Sequence, residues 1–127
     1  MTDAEYKAIQ RKCQKYIGIW KSRIWLTQWD IRTYYHREPS ENEAYMSVTP
    51  DWRYLMAEFH VHAWDIHSQE LDDTHIERCV VHELCHCLLD EMNTAVPEDR
   101  MEWHENHVER TVSTLTNVLY TTYSEAA

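Results

Sequence analysis

The apolar residues of this chain repeat at two periods, and the order of those periods leaves few folds open. Residues 3–24 carry Tyr6, Ile9, Cys13, Tyr16, Ile17, Trp20 and Ile24 at spacings of three and four. That is the stripe of an amphipathic helix, with Lys7, Arg11, Lys12 and Lys15 lying off it as a solvated face. From Trp29 the period becomes two: Trp29, Ile31, Thr33 and Tyr35 alternate with Asp30, Arg32, Tyr34 and His36, as in a half-buried strand. A polar turn region spans 37–43. Ala44, Met46 and Val48 then predict a short second strand that stops at Pro50-Asp51. In a third, Ala57, Phe59, Val61 and Ala63 face one way while Glu58, His60, His62 and Trp64 face the other. The helical period returns at Thr74-His75-Ile76-Glu77, which has the capping-box spacing and predicts a helix to about Met92. After a break over 93–97, Pro97, Glu98 and Asp99 suit a second helix start. Met101, Val108, Val112, Leu115 and Leu119 carry that last helix to about Tyr123. A helix, a small three-stranded sheet and two further helices make an α+β fold, and residues 1–127 suffice for one domain.

Composition removes several function classes. One Gly and three Pro leave no glycine-rich phosphate cradle. Twelve Lys and Arg against 22 Asp and Glu give a net charge of -10, which argues against nucleic-acid backbones and anionic membrane surfaces as partners. No apolar run approaches a membrane span, and the start Met1-Thr2-Asp3-Ala4-Glu5 is too acidic and polar for a signal peptide. Cys13, Cys79, Cys85 and Cys87 contain no C-x-x-C pair, so small reduced thiols and a cytoplasmic setting are expected. Cys79 stands apart from the others because it lies one turn before His82 on the same helix face.

That face carries the chemistry. His82-Glu83-Leu84-Cys85-His86 puts two imidazoles at i and i+4, one above the other on a helix, with a carboxylate beside them. Two nitrogen ligands, a third protein ligand and an open position for water are what a hydrolytic zinc site requires. Cys79, His82, Glu83, His86 and Asp90 form a stripe set off from the apolar side of Val81, Leu84, Cys85 and Leu88. By contrast, His60 and His62 lie on the polar face of a strand, and His36, His67 and His75 have no partner at ligand spacing. All five read as surface residues.

The third ligand must come from elsewhere. A G-x-x-H continuation of the motif is excluded, since Leu89 and Met92 occupy those positions. The glycine-rich E-G-C segment that supplies a cysteine ligand in peptide deformylases is missing as well. On the last helix, the spacing of the apolar stripe between Met101 and Val108 lands on Glu105, a carboxylate costly to bury unless paired or bound to metal. Glu105 and His104 flank that stripe almost equally, whereas His107 points away from it.

Together, His82-Glu83-Leu84-Cys85-His86 and Glu105-Asn106-His107-Val108-Glu109 resemble the gluzincin arrangement, H-E-x-x-H followed by E-x-x-x-D on the next helix. With Trp29-Asp30-Ile31, the strands and Val80-Val81, the chain is more closely similar to small zincin-like metallopeptidases often encoded by phages and prophages. The resemblance implies a minimal zincin-like domain that cleaves a peptide or protein substrate through a zinc-activated water. It assigns His82, His86 and Glu105 to Zn2+, Glu83 as the general base, and Glu109 as the acceptor of a hydrogen bond from a ligand histidine. No large C-terminal domain supplies a transition-state stabiliser, which leaves Tyr120, Tyr123, His104 and His107 as candidates. The strand carrying Glu58–Trp64 is expected to pair with an extended substrate if it lies at the sheet edge. Two other readings remain at this point: a zincin-fold binding or regulatory protein that keeps the metal without useful hydrolysis, and a helical structural protein with a fortuitous motif.

Overall fold

The computed structural model describes residues 1–126, with side chains through Ser124. Helix α1, Asp3–Arg23, opens with a capping box in which Thr2 and Glu5 bond each other's backbone N–H. It closes in a Schellman motif: Trp25 N–H bonds Ser22 O, Leu26 N–H bonds Lys21 O, and Trp25 takes φ 59°. A tryptophan therefore holds a left-handed position that glycine usually fills.

Strands β1 (Asp30–His36), β2 (Met46–Asp51) and β3 (Met56–His62) form a mixed sheet in the order β1-β3-β2. Strand β3 runs parallel to β1 and antiparallel to β2. The central strand is thus the one expected to receive a substrate, and both its edges are already paired. Strand β2 is an edge strand, which is why Pro50 extends it rather than stopping it. Alternation sorts the two faces as expected. Ala57, Phe59 and Val61 are buried beneath the helices, while Glu58, His60 and His62 lie on the outer face.

The strand pattern ends sooner than its periodicity suggests, because Ala63 and Trp64 already belong to helix α2, Ala63–Ser68. Helix α3, Asp73–Leu88, also begins early. Asp72, two residues before the expected cap, accepts the His75 N–H with its side chain. It ends at Leu88, and a short helix α4, Asp90–Asn93, completes the stretch to Met92. A 3₁₀ turn at Glu98–Arg100 leads into α5, Met101–Ala126.

The core lies between the inner sheet face and the helices. Cys13 and Trp20 of α1, Phe59 and Val61 of β3, Val80, Val81, Leu84 and Cys85 of α3, and Val112 of α5 are all fully buried or nearly so. Trp20 ties α1 to α3 through its indole N–H, which donates to Glu77 at 2.9 Å. Helices α3 and α5 run antiparallel, since Arg78 bonds Asn117 at one end and His86 meets Glu109 at the other. Among the described residues, no helix is long and apolar enough to cross a membrane.

Candidate metal centre

His82 and His86 project from the same face of α3, with ring centroids 5.1 Å apart. The apolar residues at 80, 81, 84 and 85 pin the opposite face of the helix into the core, so both imidazoles turn toward α5. The carboxylate that meets them is Glu109. Its Oε1 stands 2.9 Å from His86 Nε2 and its Oε2 stands 3.4 Å from His82 Nε2. Ligand atoms of these three residues all lie within 4.8 Å of one another. Two donors each about 2.0–2.1 Å from a tetrahedral zinc stand about 3.3 Å apart. The two carboxylate–imidazole separations bracket that span and all three ligand atoms lie within 4.8 Å, so the set could take a divalent ion such as zinc.

The carboxylate the structure brings to the two histidines is Glu109, not Glu105. Glu105 is exposed and lies outside the cluster, on the wall of a flanking hollow that His86, Asn93, His104 and Glu109 also line. The reason is axial. Antiparallel pairing of α3 with α5 sets Glu109 level with His86, and Glu105 lies one turn further on, opposite the end of α3. Glu109 is thus the carboxylate that completes the cluster with His82 and His86. The residue one turn beyond it is Ser113, with no acid there to continue the E-x-x-x-D pattern.

Protonation states suit metal binding. Burial holds the His86 imidazole below its ordinary pKa, and the neighbouring His82 adds to that, against the opposing pull of Glu109. Burial thus biases this ring toward its neutral form, the form a metal requires. Glu83 is pushed up to about 8, first by burial and then by the negative charge of Glu109.

Two hollows flank the cluster. One, of about 670 Å³, receives His82 and Glu83 and is walled by Tyr45 and Met46 at the start of β2, Arg78 and Cys79 of α3, and Ser113 of α5. Arg78 and Ser113 went unnoticed in the sequence, although they sit one turn from His82 and Glu109 respectively and share their faces. Cys79 lines this hollow, half-buried, with its thiol pushed up to about 11 by burial and then by Glu83, so without a metal beside it the thiol stays protonated at neutral pH. Of the four candidate stabilisers, only His104 lies at the site. Its Nε2 bonds Asn93 Oδ1 at 2.8 Å on the Glu109 side. His107 stacks on Trp103 in solvent, and Tyr120 and Tyr123 pack against Trp20, about three turns along α5 from Glu109.

Comparison with protein-family models gives no match, and neither curated protein sequences nor solved structures give a significant one. The α+β topology and the His82–His86–Glu109 cluster, consistent with a zincin-like metal site, stand on the chain's own residues.

Proposed function

We propose that residues 1–127 form a single zincin-like metallopeptidase domain in which His82, His86 and Glu109 hold Zn2+ and Glu83 is the general base. The observation that carries this reading is the convergence of two Nε2 atoms on one carboxylate, with the half-buried Glu83, its pKa pushed up to about 8, on the adjoining position of the same helix. Bound zinc supplies Lewis acidity to a water and to a peptide carbonyl. Glu83 takes the proton from the attacking water and passes it to the leaving amine. A nearby divalent cation lowers the Glu83 pKa from its metal-free value toward neutrality, where a base that must also act as an acid works best. The substrate is a peptide or protein segment in extended form. It lies along the outer edge of β2, which borders the hollow holding His82 and Glu83, and its backbone pairs with that free edge. Four unpaired thiols fit a reducing, cytoplasmic setting.

Mass spectrometry of a mixture of unstructured peptides after incubation with the zinc-loaded protein tests the reading. New termini are expected. Glu83→Gln should retain zinc and lose at least about 10²-fold of the cleavage rate, the scale of a general acid–base contribution. Cleavage by Glu83→Gln at the parent rate would contradict the assignment. Intact peptides from both zinc-loaded proteins would favour a binding role.

A further inference from the structure

Three histidines expected on the protein surface come together on the far side of the sheet from Glu83. The parallel register pairs Tyr34 with His60 and His36 with His62, and alternation points all four side chains to the outer face. His36 has the partner that sequence spacing did not reveal, across the strands rather than along them. His36 Nε2 lies 2.7 Å from His60 Nδ1, with ring centroids 5.0 Å apart and planes inclined by 15°. So short an N···N contact at that centroid separation means that the rings meet edge to edge, each nitrogen aimed at the other. His62 stands directly across from His36 in the register, its centroid also 5.0 Å away and its plane inclined by 20°.

We propose that His36, His60 and His62 form a second metal site, taking a borderline divalent ion of the zinc, nickel or copper class. Imidazole nitrogens are the preferred donors of these ions. Two nitrogens that bind one tetrahedral ion stand about 3.3 Å apart, so the 2.7 Å contact opens by only a few tenths of an ångström to admit it. Both nitrogens must then present lone pairs. His60 does so already if its proton sits on Nε2, and Glu58 Oε2, 3.5 Å from that nitrogen, holds this tautomer in place. His36 needs only to move its proton from Nε2 to Nδ1. No net proton is released, and the ion replaces the shared hydrogen.

A third nitrogen comes from His62 by rotation of its ring toward the same point. Room for the ion and its remaining water exists beside it, in a hollow of about 480 Å³ lined by His36, His62, Glu38 and Glu41. The two carboxylates there make the hollow attractive to a cation. Glu58 accounts for the orientation of His60, and the two strands fix the spacing of the imidazoles, so the site is built from the sheet's register and not from a mobile loop.

Calorimetric titration with Zn2+ alone tests the site independently of the peptidase reading. His82→Ala/His86→Ala removes the first centre and should still bind one equivalent. Adding His36→Gln and His60→Gln to that protein should abolish this binding or weaken it at least tenfold. In the unsubstituted protein, histidine ring ¹⁵N spectra should show His36 Nε2 and His60 Nδ1 shifting as the second equivalent is added, a readout that does not depend on any variant folding. Ring signals of His36 and His60 that ignore zinc, or a remaining equivalent indifferent to His36→Gln/His60→Gln, would overturn the proposal. Failure at His82 and His86 leaves this result untouched, and the converse also holds.

Discussion

Glu83 is the residue at which burial, charge and chemistry meet. Its folded pKa of about 8 stands well above the 4.5 of an exposed glutamate, because burial and Glu109 both disfavour its charge. The folded state therefore binds a proton that the unfolded chain releases at lower pH. Such a group contributes stability that is fully present below about 4.5 and is lost as pH rises through about 8. In metal-free protein, Glu83→Gln should be the more stable form at pH 8.5, by about 1–3 kcal/mol, and the advantage should vanish near pH 4.5. Thermal unfolding in the presence of a chelator at those two pH values checks this. A stability gap that is the same at both would mean that Glu83 ionises freely in the fold. His82, Glu83 and His86 were legible in the sequence because one helix fixes their spacing. Glu109 was not legible as the nearest carboxylate, because its position depends on the axial offset between two helices, which no pattern within either helix encodes.

Among the elements, those with a sustained period were the most readable. Helix α1 and the inner and outer faces of β1 and β3 follow their apolar spacing closely. Short elements escaped. Helix α2 hides in the tail of a strand-like alternation, since Ala63 and Trp64 continue the two-residue pattern by accident. The start of α3 was misplaced because both Asp72 and Thr74 are good caps, and the choice between them rests on Ile76 being buried in the first turn. Glycine usage shows a local conflict with a measurable cost. The sole glycine, Gly18, sits in the exposed interior of α1, where an added Cβ would meet nothing within 4 Å. Trp25, meanwhile, adopts φ 59° with 74% of its surface exposed. Gly18→Ala should stabilise the protein by about 1 kcal/mol through helix propensity. Trp25→Gly should gain a similar amount, about 1 kcal/mol, by relieving the left-handed position. Urea unfolding of each variant is the measurement, and a lowered midpoint for Trp25→Gly would show that the indole makes a compensating contact.

For the whole molecule, the fold works as a frame that holds two helices at one axial offset. The sheet and α1 bury the inner face of α3, and α5 leans on α3 through Val112 and the Arg78–Asn117 hydrogen bond. The facing polar edges then meet at His82, His86 and Glu109. An ion bound there joins α3 to α5, so it should raise the stability of the entire domain by mass action. The direct test is zinc affinity, measured by competition with a chelator and followed by thermal unfolding, for the parent protein, Glu109→Ala and Glu105→Ala. The account predicts that Glu109→Ala loses the tight equivalent and its thermal stabilisation, by well over 100-fold in affinity, beyond the 10–100-fold typical of residues that only support a ligand. Glu105→Ala should keep both. Tight zinc binding retained by Glu109→Ala and lost by Glu105→Ala would contradict it.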